Sequence, residues 1–132
     1  MMGIAASDTA NVELTITGLR STKGLVHLCM TANPALLNKC DKDPNARKLS
    51  LAATKATKIE LTGLAPGTYA VALLHDENSN SKMDTMLGMP REGFGFSRNP
   101  AIRLGPPKFV DASFKVEAGV TTQQAIKFKY ML

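Results

Sequence analysis

Short runs of period-two alternation dominate this sequence, and each such run predicts an extended segment with one face turned to a core. Val12, Leu14 and Ile16 alternate with Glu13, Thr15 and Thr17 up to Gly18. Gly24 to Met30 is apolar on both faces, as expected of a central strand in a sandwich. Ile59 and Leu61 alternate with Lys58, Glu60 and Thr62, and Tyr69, Val71 and Leu73 alternate with the small Ala70 and Ala72. Ala112, Phe114 and Val116 alternate with Ser113, Lys115 and Glu117, and the last run sets Ile126, Phe128 and Tyr130 against Lys127 and Lys129. Turn chemistry separates the runs, from Gly18 to Gly24, at Pro66-Gly67 and at Ala118-Gly119. Only Ala46, Leu49, Ala52 and Ala53, after Asp43-Pro44, read as a short amphipathic helical turn or two. The pattern predicts an all-β fold, a single antiparallel β-sandwich of about seven strands with one long ordered loop.

A chain of 132 residues holds one core. The expected division is residues 1–10 as a disordered N-terminal remnant and 11–132 as one sandwich domain. Hydrophobic residues at 44% and charged residues at 20% exclude a disordered tail or a coiled coil. No apolar run approaches the roughly 18–20 residues of a membrane span. The net charge of +5 is spread over scattered Lys and Arg rather than gathered in a basic run, which argues against nucleic acid. With no Trp and 5% aromatics there is little to stack on bases or sugars, and with 2 His a multi-histidine metal centre is excluded. Cys29 and Cys40 are neither a zinc nor a redox pair by spacing; they read as one disulfide or as two separate buried thiols. The N-terminus lacks the basic and long apolar regions of a signal peptide and fits a chain starting just past a removed export signal.

The segment from Asp76 to Pro107 breaks the alternation, and long irregular stretches in compact domains are usually functional or tied down. It opens on Asp76-Glu77-Asn78-Ser79-Asn80-Ser81-Lys82-Met83-Asp84. Asp76, Asn78, Asn80 and Asp84 stand where alternate residues of a calcium loop place side-chain oxygens, and Lys82 stands where such a loop supplies a carbonyl. Ser81 replaces the glycine, and Leu87 the bidentate glutamate, of the helical calcium hand. Glu77 or Glu92 could add a carboxylate. The competing reading is an Asx-rich turn without metal.

Further on, Arg91, Phe94, Phe96 and Arg98 read either as a ligand or partner surface or, for the two Phe, as anchors folded inward, with Gly93 and Gly95 supplying unusual backbone angles. Catalytic readings find little support. His75-Asp76 lacks the further histidines of a metal hydrolase, and no Gly-x-Ser-x-Gly elbow is present. Cys29 and His27 share a strand face without an identifiable orienting group or oxyanion hole. Asp76, Asp84 and Glu92 have no aromatic sugar platform.

The run from His75 through Asp84, then Leu87-Gly88-Met89-Pro90-Arg91-Glu92-Gly93-Phe94-Gly95-Phe96-Ser97-Arg98-Asn99, resembles the bacterial family known as domain of unknown function 2141. So do Gly63 to Val71 before it and Pro106-Pro107-Lys108-Phe109 with Ala112 and Phe114 behind. Members carry Gly where this chain has Ser79 and Ser81. The resemblance implies a transthyretin-like or immunoglobulin-like sandwich, export to the periplasm or cell surface, no established activity and, with export, a Cys29–Cys40 disulfide. Leu64-Ala65-Pro66-Gly67-Thr68-Tyr69 also resembles an element of extracellular sandwich modules in which the Tyr opens a core strand.

The expectation is therefore a monomeric, non-enzymatic binding or accessory module with calcium as its only cofactor and a protein or cell-envelope ligand. The alternative is a small-molecule carrier or hydrolase with a pocket near Phe94 and Phe96. A deep pocket there with a strongly shifted carboxylate favours the alternative, and a flat, filled surface sinks it. Ile126 to Leu132 is a candidate free edge.

Overall fold

The computed structural model describes residues 9–79, 85–86, 89–90, 92–102 and 106–130. Two sheets face each other. In the first, β1 (Ala10–Thr17) lies at the centre, antiparallel to β4 (Lys58–Leu64) and parallel to β10 (Thr121–Lys127). In the second the order is β3 (Arg47–Ala52), β2 (Leu25–Thr31), β5 (Gly67–Asp76) and β8 (Gly93–Phe96), all antiparallel. β9 (Phe114–Val116) pairs with the start of β5. β6 (Thr85–Met86) and β7 (Met89–Pro90) form a separate two-stranded ribbon. Among the described residues helix is limited to 3-10 turns at Leu37–Lys42 and Ala53–Lys55 and one turn of α1 (Phe109–Ala112).

The expected β-sandwich is the observed fold, and alternation accounts for the core. Val12, Leu14 and Ile16 of β1, with Ile59, Leu61 and Ile126, meet Val26, Leu28, Met30, Val71 and Leu73 of the other sheet, all essentially excluded from water. Each such side chain contributes about 1.5–3 kcal/mol by burial. Tyr69 opens the exposed end of β5 and donates its hydroxyl to the Ala65 carbonyl at 2.6 Å, closing the Pro66-Gly67 turn.

Four local expectations are corrected. The helix read over 46–53 is mostly strand β3. Its period-three apolar positions lose to the ladder with β2, which turns Leu49 and Leu51 to the core and Lys48 and Ser50 outward. The β1–β10 pair is parallel rather than antiparallel. The segment after Asp76 is not all loop, because Gly93–Phe96 joins the second sheet as β8. Finally, Gly93 and Gly95 are not left-handed. A Cβ on Gly95 would stand 2.9 Å from Ile126 Cγ2, and one on Gly93 would press into the Tyr130 ring, so close approach of the sheets excludes a side chain there.

The C-terminal run is not a free edge along its length. After Phe128 N–H bonds to Thr17, Lys129 exchanges both backbone hydrogen bonds with Phe94 at 2.8 and 3.0 Å, crossing from one sheet to the other. Asn99, at φ 46, clips the outer edge of β10 by donating to the Ala125 carbonyl at 3.0 Å and accepting from Lys127 N–H at 2.9 Å.

Candidate functional site

The outward face of the second sheet is the unusual surface. Antiparallel sheets commonly give water a polar outer face. Here β2, β5 and β8 turn Cys29, Ala72, Leu74, Phe94 and Phe96 outward, opposite the core row of Val26, Leu28, Val71 and Leu73. The Cys29–Cys40 disulfide, with Cα atoms 6.0 Å apart, fastens the Leu37–Lys42 turn over one end of this face. Leu37 packs there with Ala70, Ala112, Phe96 and Phe109. What remains open is a groove of about 880 Å³, with Leu74, Ala72, Phe94, Phe96 and the disulfide along it, His27 and Ser50 at its polar end, and Asn38, Asp41 and Lys48 around the disulfide.

The ladder explains that polar end. Ser50, His27, Leu74 and Phe94 form one row across four strands. Asp76 lies one step along β5, opposite Leu25, and so on the same face as His27. Ser50 Oγ is 2.6 Å from His27 Nδ1, and His27 Nε2 is 2.8 Å from Asp76 Oδ2. Asp76 is fully buried, whereas the His27 side chain keeps 23% of its surface exposed.

On the opposite face of the same strand end, fully buried His75 receives the Tyr130 hydroxyl at Nδ1 (2.7 Å) and donates from Nε2 to the Lys23 carbonyl (2.8 Å). That assignment follows because Tyr130 Oη already accepts Arg20 N–H at 3.1 Å, leaving its own proton for the imidazole. Burial raises the Tyr130 phenol above its ordinary value, so it stays a donor. Arg20 stacks its guanidinium 4.5 Å from the Tyr130 ring centre and pairs with Glu77 Oε1 at 2.6 Å. The hydrogen bond from Arg20, with a second from Ser21, holds the Glu77 carboxyl below its ordinary value despite partial burial. Successive residues His75 and Asp76 thus serve opposite faces and are not one motif.

Of the expected calcium ligands, Asp76 ends β5 and gives one oxygen to His27, and Asn78 is exposed on the turn closed by Ser79 N–H to the Asp76 carbonyl at 3.2 Å. Ser79 sits at φ 55, a left-handed conformation that favours glycine. Asn80, Lys82 and Asp84 lie outside the described residues, as does Arg91. Glu77 is committed to Arg20 and Ser21, while buried Glu92 accepts the Glu77 N–H at 3.0 Å. Among the described residues no group of three or more His, Cys, Asp or Glu side chains gathers around a common point. Phe94, almost fully buried, and Phe96, packed against the Leu37 cluster, stand on strand β8 rather than on a loop and wall the groove. Arg98 donates to the Val110 and Ser113 carbonyls at 3.4 and 3.3 Å, bracing the end of α1. Sequence spacing pairs His27 with Cys29, and Ser50 carries no signal because it lies in the segment whose apolar period reads as helix.

The fold and the bridged, grooved sheet define a disulfide-bonded β-sandwich protein. The chain belongs to the family described as "Uncharacterized protein conserved in bacteria (DUF2141)", which matches residues 14–124. The resemblance carried by the Asp76–Asn99 block is thereby borne out, as is the disulfide. No curated protein matches the sequence. Among solved structures, GBS52, the minor pilin of the gram-positive pathogen Streptococcus agalactiae, is similar with a TM-score of 0.42 at 14% identity. That match covers 96% of this chain and 47% of the pilin, so the chain spans about half the pilin's length. No described helix is long and apolar enough to cross a membrane.

Proposed function

We infer that the protein is an exported, monomeric binding module whose ligand site is the outer-face groove. One observation carries this reading: a groove of about 880 Å³ with an apolar floor and a few polar groups at its margins. Ligand sites for small molecules typically measure about 300–1,000 Å³ with that division of lining. The ligand is a small cell-envelope molecule, largely apolar with one polar end. The Cys29–Cys40 bridge supports export, because such bonds persist in oxidising compartments. Calcium at Asp76, Asn78, Asn80, Lys82 and Asp84 belongs to the same reading and rests on their spacing.

The test is titration of the native protein with the fluorescent probe anilinonaphthalene sulfonate. Leu74 is half-buried on the groove floor, so Leu74→Glu places there an anion that repels the probe's sulfonate, without touching the core. The expected result is saturable binding at one site, lost in Leu74→Glu with thermal stability retained. Absent binding, or equal binding by the variant, overturns the reading.

A further inference from the structure

The groove's polar end carries a reactive arrangement. We propose that Ser50 is a nucleophile activated by His27 and oriented through Asp76, able to take an acyl or phosphonyl group from an ester-like ligand lying in the groove. The Asp76 carboxylate can only accept, so in the single-proton form of the ring the proton sits on Nε2, 2.8 Å from Asp76 Oδ2. Nδ1 is then a bare acceptor, and the Ser50 hydroxyl points its proton at it from 2.6 Å. Nucleophile, base and buried orienting carboxylate stand in the sequence that activates a serine, a relation defined by roles rather than by fold or chain order. The ring is turned relative to the common hydrolase arrangement, with Nδ1 rather than Nε2 on the serine, but the proton path is unchanged. Burial is graded in the sense the chemistry needs: Ser50 exposed, His27 partly covered, Asp76 fully enclosed. Leu74 and Phe94, beyond His27 in the same row, give an acyl chain an apolar bed on the far side of the imidazole.

An alkyl fluorophosphonate tests the assignment. The Ser50 oxygen–phosphorus bond forms, the phosphorus–fluorine bond breaks, fluoride leaves and the hydroxyl proton passes to His27 Nδ1. Intact mass and peptide mapping should find one adduct per chain, on Ser50. Ser50→Ala should abolish it, and His27→Gln should slow it by about 100-fold or more, the low end of what a positioned base supplies. Asp76→Asn should slow it similarly, because an amide donating to Nε2 forces the proton onto Nδ1. Gln at the half-exposed position 27 keeps the fold, which a thermal melt verifies. No adduct, an adduct elsewhere, or an unchanged rate in His27→Gln overturns the proposal. The proposal uses the groove reading only for access, and the two fail separately: probe binding without an adduct removes the nucleophile, and a Ser50 adduct without probe binding removes the apolar-ligand site.

Discussion

Gly24 and Gly63 form a matched pair that separates two costs a side chain can incur. Both are left-handed, at φ 71 and φ 68, so alanine meets the same backbone penalty at each. That penalty is about 1–2 kcal/mol, offset in part by the about 0.4–1 kcal/mol gained from stiffening the unfolded chain. Gly63→Ala should therefore cost about 1 kcal/mol, since a Cβ there meets nothing within 4 Å. At Gly24 a Cβ would stand 2.7 Å from two Glu77 backbone atoms and closer still to the Asp76 carbonyl oxygen. Those atoms are main chain at the end of β5 and cannot rotate away, so the overpacking cost of about 1–3 kcal/mol adds in full. Gly24→Ala should thus lose about 3 kcal/mol in urea unfolding, some 2 more than Gly63→Ala. At roughly 3–5 °C per kcal/mol the two melting points should separate by about 6–10 °C. Equal losses would refute the claim that the bare Cα of Gly24 seats the strand end bearing Asp76.

The Glu77 carboxyl is held below its ordinary 4.5 by Arg20, and that of Asp43 below its ordinary 3.8 by Thr31 and then the Asn45 N–H. The unfolded chain binds these protons first, so both groups stabilise fully above those values and lose their contribution as pH falls through the lowered ones. Urea midpoints should therefore drop on acidification below about pH 4.5, less steeply in Glu77→Gln, and an identical slope would count against the pairing. Replacing both Cys29 and Cys40 by Ala should cost about 2–3 kcal/mol from a loop with sequence separation 11, read as a lower melting point that reductant no longer shifts. Saturating calcium should raise the melting point against chelator, by about 2.7 kcal/mol at a hundredfold excess over the dissociation constant. That rise should vanish in the Asp76→Ala, Asp84→Ala double variant, and no shift at millimolar calcium would leave an Asx-rich turn.

What could be read from the chain alone was whatever alternation writes locally. Val12 to Ile16, Ile59 with Leu61, and Tyr69 to Leu73 each announce which side faces the core, and each does so in the structure. The Gly-Phe-Gly-Phe strand hid because its core-facing positions are Gly93 and Gly95, which leave room for Tyr130 and Ile126, so its apolar residues sit on the outer face. The 46–53 stretch misled for a related reason. Leu49 and Leu51 carry the strand period, but Ala46, Leu49 and Ala52 carry a three-residue period equally well, and only pairing with β2 decides between them. The candidate site fell into that gap. Ser50, His27 and Asp76 are separated by 23 and 49 positions, and nothing local to any one of them signals the others. They meet because β3 and β5 flank β2 in registers that set His27 opposite Ser50 and Leu25 opposite Asp76. A slip of one residue in either register would send Ser50 or Asp76 to the core face. The hydrophobic pattern opposes such a slip, since it would expose Leu49 and Leu51 or Val71 and Leu73 and bury their polar neighbours. The polar row is thus positioned by the apolar residues on the other side of the same strands, and a reader of the sequence reaches it only by way of the core.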